Sequence, residues 1–300
     1  MGAQRKVKLL VGLVVIANLV LLLIVILGAF GSPPPKPLPN PNGYDDFVKA
    51  GKMVSGNAGD YSNMTPEQLA SLVATNAEAL KLVRIGLSRE CRVRNDYTNK
   101  FMDYYLDNLA GQKRLALNLC AEGRLAVMQK RTNDAVQSFL DAERFGIECC
   151  RGGVMISKLV GIACESLGRS GLRPLADNLD AEQSRKIAQT LASLDTKEDS
   201  LKDCLEQERD FAGRTGTIMQ KLAALILYRQ HQKMIANFTA KFQKNQRERR
   251  LLVIDAATRA YALEKGKPPA SVNDLVPDYL PIAPKDPVTD ADLGLRASGN

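Results

Sequence analysis

The chain has 300 residues, 45% of them apolar and 25% charged, with a formal net charge of +8. That balance excludes a disordered polyelectrolyte and leaves room for one large domain or two modest ones. With no Trp and only eight Phe and eight Tyr, the core must be built from Leu, Ala, Ile and Val, which suits helices better than sheets.

His231 is the only histidine, which excludes His-based triads and multi-His metal sites within one chain. No G-x-S-x-G, H-E-x-x-H, G-x-x-x-x-G-K-[ST] or G-x-G-x-x-G occurs. The chain therefore reads as non-enzymatic and without a cofactor. The helical pattern puts Asp and Glu on exposed faces, so catalysis would need a carboxylate-only site. Cys91, Cys120, Cys149, Cys150, Cys164 and Cys204 include no C-x-x-C pair, so no zinc site is expected. They read as small buried thiols, with disulfides open to a chain exported to an oxidising space.

Residues 1–8 form a basic flank with Arg5, Lys6 and Lys8. Leu9 to Phe30 follows, 22 residues whose only polar member is Asn18. As a helix this run reaches about 33 Å, enough to span a bilayer. The positive charge ahead of it places the N-terminus in the cytoplasm and the body outside, anchored in the inner membrane. A cleaved signal peptide ending at Ala29-Phe30-Gly31 is the competing reading, but the apolar run exceeds the roughly 7–15 residues such peptides use. Residues 31–42 carry six prolines and predict a polyproline spacer that holds the body some tens of ångströms off the bilayer.

Residues 43–250 predict a helical body. After the Asn42-Gly43 turn, a short helix is expected over residues 44–54. Thr65-Pro66-Glu67-Gln68 then supplies an N-cap, a first-position proline and a capping-box Gln. The helix it opens carries Leu69, Leu72, Val73, Leu80 and Val83 on one face.

Two further helices are expected between Asn99 and Cys150. Within them Gly123, Ala135, Phe139 and Ala142 stand at the spacing of the small and aromatic positions of a tetratricopeptide repeat, which this hairpin resembles. The sequence departs from that pattern at Leu119, where a large aromatic is expected, and at Ile147, where a proline is expected. One period later, Ser157 and Arg169 break it. The resemblance implies a single hairpin, either a groove for a peptide or plain close packing.

Arg151-Gly152-Gly153 stops that pair. The next segment, residues 154–167, repeats Met155, Leu159, Ile162 and Ala163 at helical spacing and predicts the central buried helix. Asp180 caps a helix to Leu194, and Thr196-x-x-Asp199 is expected to cap a long one reaching Lys265, with breaks at Gly213 and Gly216.

That long segment is divided by charge. Residues 195–210 hold seven acids against three bases, and residues 229–250 hold seven bases against Glu248 alone. Tyr228, His231, Ile235, Phe238 and Phe242 form an apolar stripe beside the bases. Two readings stay open. In one, Lys233, Lys241, Lys244, Arg247, Arg249 and Arg250 meet anionic lipid or another polyanion. In the other, the stripe faces the core and the charges are simply solvated. The asymmetry also suits antiparallel helix pairing. No nucleic-acid partner is expected.

Residues 251–300 predict the end of the helix and a loop segment. Tyr261-x4-Gly266-x-Pro268, then Tyr279-Leu280 and Pro284-Lys285-Asp286-Pro287, resemble the region after the helix in type II secretion pseudopilins. The same arrangement, with a start like Asn42 to Asp46, resembles uncharacterised bacterial envelope proteins with an N-terminal anchor. The chain departs from pseudopilins in lacking a processing site with Phe and Glu ahead of the apolar run. Physically, this tail reads as a helix stop and a proline-pinned loop packing back through Leu275, Tyr279 and Leu280.

The expected protein is mostly α, with packed helical hairpins and a loop-rich C-terminal cap. Its expected role is a tethered, non-catalytic interaction or scaffold protein of the bacterial envelope with one or more protein partners. The tail resemblance implies an accessory part of a secretion or pilus-like assembly as the alternative.

Overall fold

The computed structural model describes residues 36–95, 97, 101–215 and 228–295. The expected flank, membrane anchor and first part of the spacer lie outside the described residues. Among the described residues no helix is long and apolar enough to cross a membrane.

The described chain is mostly helical. Helices α1 (Gly43–Met53), α2 (Pro66–Thr75) and α3 (Ala77–Leu87) precede the hairpin of α4 (Phe101–Met128) and α5 (Thr132–Glu148). Then come α6 (Met155–Leu172), α7 (Ala181–Lys197), α8 (Leu201–Thr215) and α9 (Tyr228–Lys265). One main core runs through Phe47, Leu80, Leu115, Leu119, Phe145, Leu191 and Leu280. All six cysteines are buried and unpaired.

Local signals place several helix starts. The Thr65 hydroxyl accepts the Gln68 amide at 3.3 Å while the Gln68 side chain accepts the Thr65 amide at 2.8 Å. Asp180 and Gln183 close the same reciprocal box for α7, satisfying donors that a helix end leaves free. Asn42 does more than mark a turn. Its Oδ1 accepts the Tyr44 and Arg92 amides and its Nδ2 donates to the Arg92 carbonyl, so the spacer's last residue is tied to the loop after α3.

Three expectations are corrected. The helix opened by Thr65 does not run through to Val83. Asn76 divides it into α2 and α3, donating to the carbonyls of Ser55 and Leu72 and accepting the Ser55 amide. A buried amide that captures a distant loop outweighs continuity of the helix. Thr196 belongs to α7 rather than capping a helix. Ser200 and Asp203 cap α8, and Asp199 accepts the Gly152 amide at 2.7 Å.

The third correction concerns α6. Its expected core stripe is half out of the core, with Leu159 and Ile162 half-buried and Ala163 exposed. The buried face instead carries Ser157, Lys158, Gly161, Cys164, Glu165, Gly168 and Arg169. Glycine explains the approach of α5 and α6: a Cβ on Gly146 would lie 2.6 Å from the Gly161 carbonyl oxygen. The backbones touch there, leaving no room for large apolar side chains and seating the longer polar ones along the same seam.

At the C-terminus Gly266 takes φ +71° and ends α9. The tail then returns as expected, with Leu275, Tyr279 and Leu280 buried. An isolated bridge between Lys285 and Asp292 closes its final loop.

Candidate functional site

Helix α9 brings two charged regions together on one rod. The first is sealed inside. Phe238, Phe242, Asn245, Arg249, Leu252, Ala256 and Ala260 follow one another at three- and four-residue spacing, and all are buried. They form one seam along the helix. The seam is apolar at both ends and polar in the middle.

In that middle, Arg249 donates to Glu165 at 2.6 Å and to Asp195 at 3.0 Å, and also to Glu198. Asn245 donates to Glu165 at 2.7 Å and accepts from Arg169. Arg169 pairs in turn with Glu143, and Lys158 with Glu198. Arg250 joins at the rim through Asp195 at 2.8 Å. Three buried cations, Lys158, Arg169 and Arg249, thus meet three buried carboxylates, Glu143, Glu165 and Glu198. They come from α5, α6, α9 and the turn after α7.

Glu143 and Glu198 do not titrate alike. Burial pushes Glu143 up, Arg169 pulls it back and Glu165 pushes it further, leaving it at about 7. For Glu198 burial acts in the same upward direction, but Arg249 and Lys158 outweigh it and hold the group at about 2. One oxygen each of Glu143 and Glu165 has no hydrogen-bond partner. Carboxyls pushed apart in this way can serve as acid and base where a substrate reaches them. Here the Glu143, Glu165 and Arg249 side chains have zero exposure. None of the six ionic groups lines the four clefts described on the surface. The arrangement clamps four parts of the chain.

Sequence reasoning missed this cluster and placed Arg249 on an interaction surface. The structure corrects both: Arg249 is in the core because it shares the seam of Phe238 and Phe242. A signal was present. Glu165 and Arg169 stand one helical turn apart on α6 beside Gly161 and Gly168, and Asn245 and Arg249 repeat that spacing on the seam of α9.

The second region is the outer face of α9. Arg229, Lys233, Lys241 and Lys244 are exposed, and these four make no ion pair or hydrogen bond among the described residues. At about 100° per residue they share an arc of roughly 120° with Arg247, outside the arc of the seam. Arg247 is exposed but pairs with Asp286 at 2.8 Å. Arg250 is half-buried, donating also to the Lys285 carbonyl at 2.6 Å. Of the expected stripe, Phe238 and Phe242 pack with Cys204 and Met155, Ile235 is half-buried and His231 is exposed. The side chain of Tyr228 lies outside the described residues. The outer face leads into an open cleft of about 400 Å³ lined by Arg173, Lys244, Arg247, Glu248 and Leu251. Arg173 and Glu248 pair across it at 2.5 Å.

The hairpin positions that resemble a tetratricopeptide repeat also come together. The Phe139 ring lies where a Cβ on Gly123 would be, 2.7 Å from that ring, and Ala135 and Ala142 are fully buried. Among the described residues no group of three His, Cys, Asp or Glu side chains is placed to hold a metal. No protein-family model, curated protein or solved structure matches the chain.

Proposed function

We propose that this protein is a membrane-tethered, non-catalytic interaction or scaffold protein of the bacterial cell envelope. Residues 9–30 serve as its inner-membrane anchor, and the helical body lies outside the cytoplasm. The observation that supports this reading is the outer face of α9, where Arg229, Lys233, Lys241 and Lys244 are exposed on a helix whose inner seam is locked to the core. Cations without internal partners on a rigid support suit an anionic partner, whether a protein or a lipid surface.

Topology is tested first. Thiol reagents are poorly suited, because all six cysteines are buried, whereas exposed lysines abound. A membrane-impermeant amine reagent applied to intact cells labels Lys81, Lys130 and Lys241 if the body is outside. Labelling only after lysis overturns the envelope reading. Photo-crosslinking from position 241 in the full-length protein then captures the partner, and Lys233→Glu with Lys244→Glu abolishes the adduct. Co-purification of the full-length protein with a secretin or assembly ATPase favours the secretion alternative.

A further inference from the structure

We propose that the outer face of α9, together with the Arg173–Lys244–Arg247 cleft, binds the phosphodiester headgroups of anionic phospholipid in the membrane that holds the tether. The inference rests on the tethered reading above and names the ligand of the same face.

Three observations carry it. The first is charge. From Arg229 to Arg247 no Asp or Glu occurs, so nothing on this stretch repels a phosphate. Arg229, Lys233, Lys241 and Lys244 have no partner among the described residues, so binding breaks no ion pair at those positions.

The second is shape. The cationic arc ends in the open cleft of about 400 Å³, where Arg173, Lys244 and Arg247 converge beside the aliphatic wall of Leu251. Arg173 and Arg247 already hold Glu248 and Asp286, which keeps both guanidinium groups at the rim. Lys244 adds a cation outside any ion pair, beside the Glu248 carboxylate that also lines the cleft. Met234, 46% exposed on the same helix, adds an apolar residue of the kind that interfacial helices bury at the headgroup boundary.

The third is position. Lys36, the first described residue of the spacer, lies in a cleft with Asp203 and Cys204 of α8. Cys204 packs on Phe238 and Phe242 of α9, so the tether meets the body beside α8, the helix that lies against the inner seam of α9. Leu38 lines the neighbouring cleft, and Asn42 is tied to Arg92. The spacer is thus laid along the body from Lys36 onward. Only Gly31 to Pro35 separate that point from the predicted anchor, and five residues reach at most about 18 Å. This shortens the expected stand-off of some tens of ångströms and keeps the body close to the headgroups. Attraction there grows with each cation near an anionic surface and weakens with salt.

The test uses the full-length protein in lipid nanodiscs of phosphatidylcholine alone or with phosphatidylglycerol added. Acetylation of individual lysines is read by mass spectrometry, and membrane integration by resistance to alkaline extraction. The expected result is a several-fold drop in modification of Lys233, Lys241 and Lys244 in the anionic discs only, reversed by high salt, with Lys81 and Lys130 unchanged. Lys233→Glu, which leaves the buried network intact, should restore modification of Lys241 and Lys244. Equal modification in both disc types, with the protein integrated, overturns the headgroup proposal and leaves the tether standing. Protection in native membranes but in neither disc type overturns it in favour of an acidic protein. Failure to integrate removes the tethered reading and this proposal with it.

Discussion

Lys233 and Arg249 are cations on one helix, yet Lys233 has no partner among the described residues and Arg249 has no exposure. Sixteen residues apart, they differ by about 160° in helical phase. That phase decides which one faces Glu165, Asp195 and Glu198 and which one faces solvent. A run of bases therefore has two meanings along a single helix. On the inner seam charge is a clamp, whose worth depends on every partner being present. On the outer face it is a surface whose partner lies outside the chain.

The sharpest way to break the comparison is Arg249→Met, which leaves Glu165 and Glu198 buried with too little positive charge. A loss of about 3–5 kcal/mol in chemical denaturation is expected, and a loss below about 1 kcal/mol would show that the clamp is not formed. Leu191→Ala probes the apolar packing of α7 on α9. It should cost about 2–4 kcal/mol through the cavity it leaves, with little dependence on salt.

Glu143 gives a smaller effect with a definite sign. Its folded pKa of about 7 lies above the ordinary 4.5, so the folded state binds the proton more tightly than the unfolded chain. Its contribution is full below the unfolded value and is lost as pH rises through the folded one. Glu143→Gln should flatten that decline between these values, by about 1.4 kcal/mol per pH unit, in denaturation midpoints measured across pH. Glu198 works oppositely: its stabilisation is present above the ordinary 4.5 and is lost as pH falls toward 2. The smallest effect belongs to the outer face, where Lys241→Ala should change stability by less than about 0.5 kcal/mol. If it costs as much as Arg249→Met, the two faces are not distinct.

Much of the helical plan was legible because its signals are local. Thr65 with Gln68 and Asp180 with Gln183 form caps from residues three apart, and the Gly152 and Gly266 stops depend on backbone freedom at one position. The tail was legible for a similar reason: Leu275, Tyr279 and Leu280 are large apolar residues bracketed by prolines. The break at Asn76 was not legible, because its partner Ser55 lies 21 residues away. Nor was the charged face of α6, since an apolar stripe of Met155, Leu159 and Ile162 masked it.

By itself, then, the sequence determined a mostly helical body, its principal caps and stops, and a concentration of bases in residues 229–250. Only the tertiary structure decided which of those bases are structural. Arg249 meets Glu165 from 84 residues away, through a seam opened by the contact of Gly146 with Gly161. Pairing of buried charges depends on which helices lie against one another, and that is set by the packing of the whole chain.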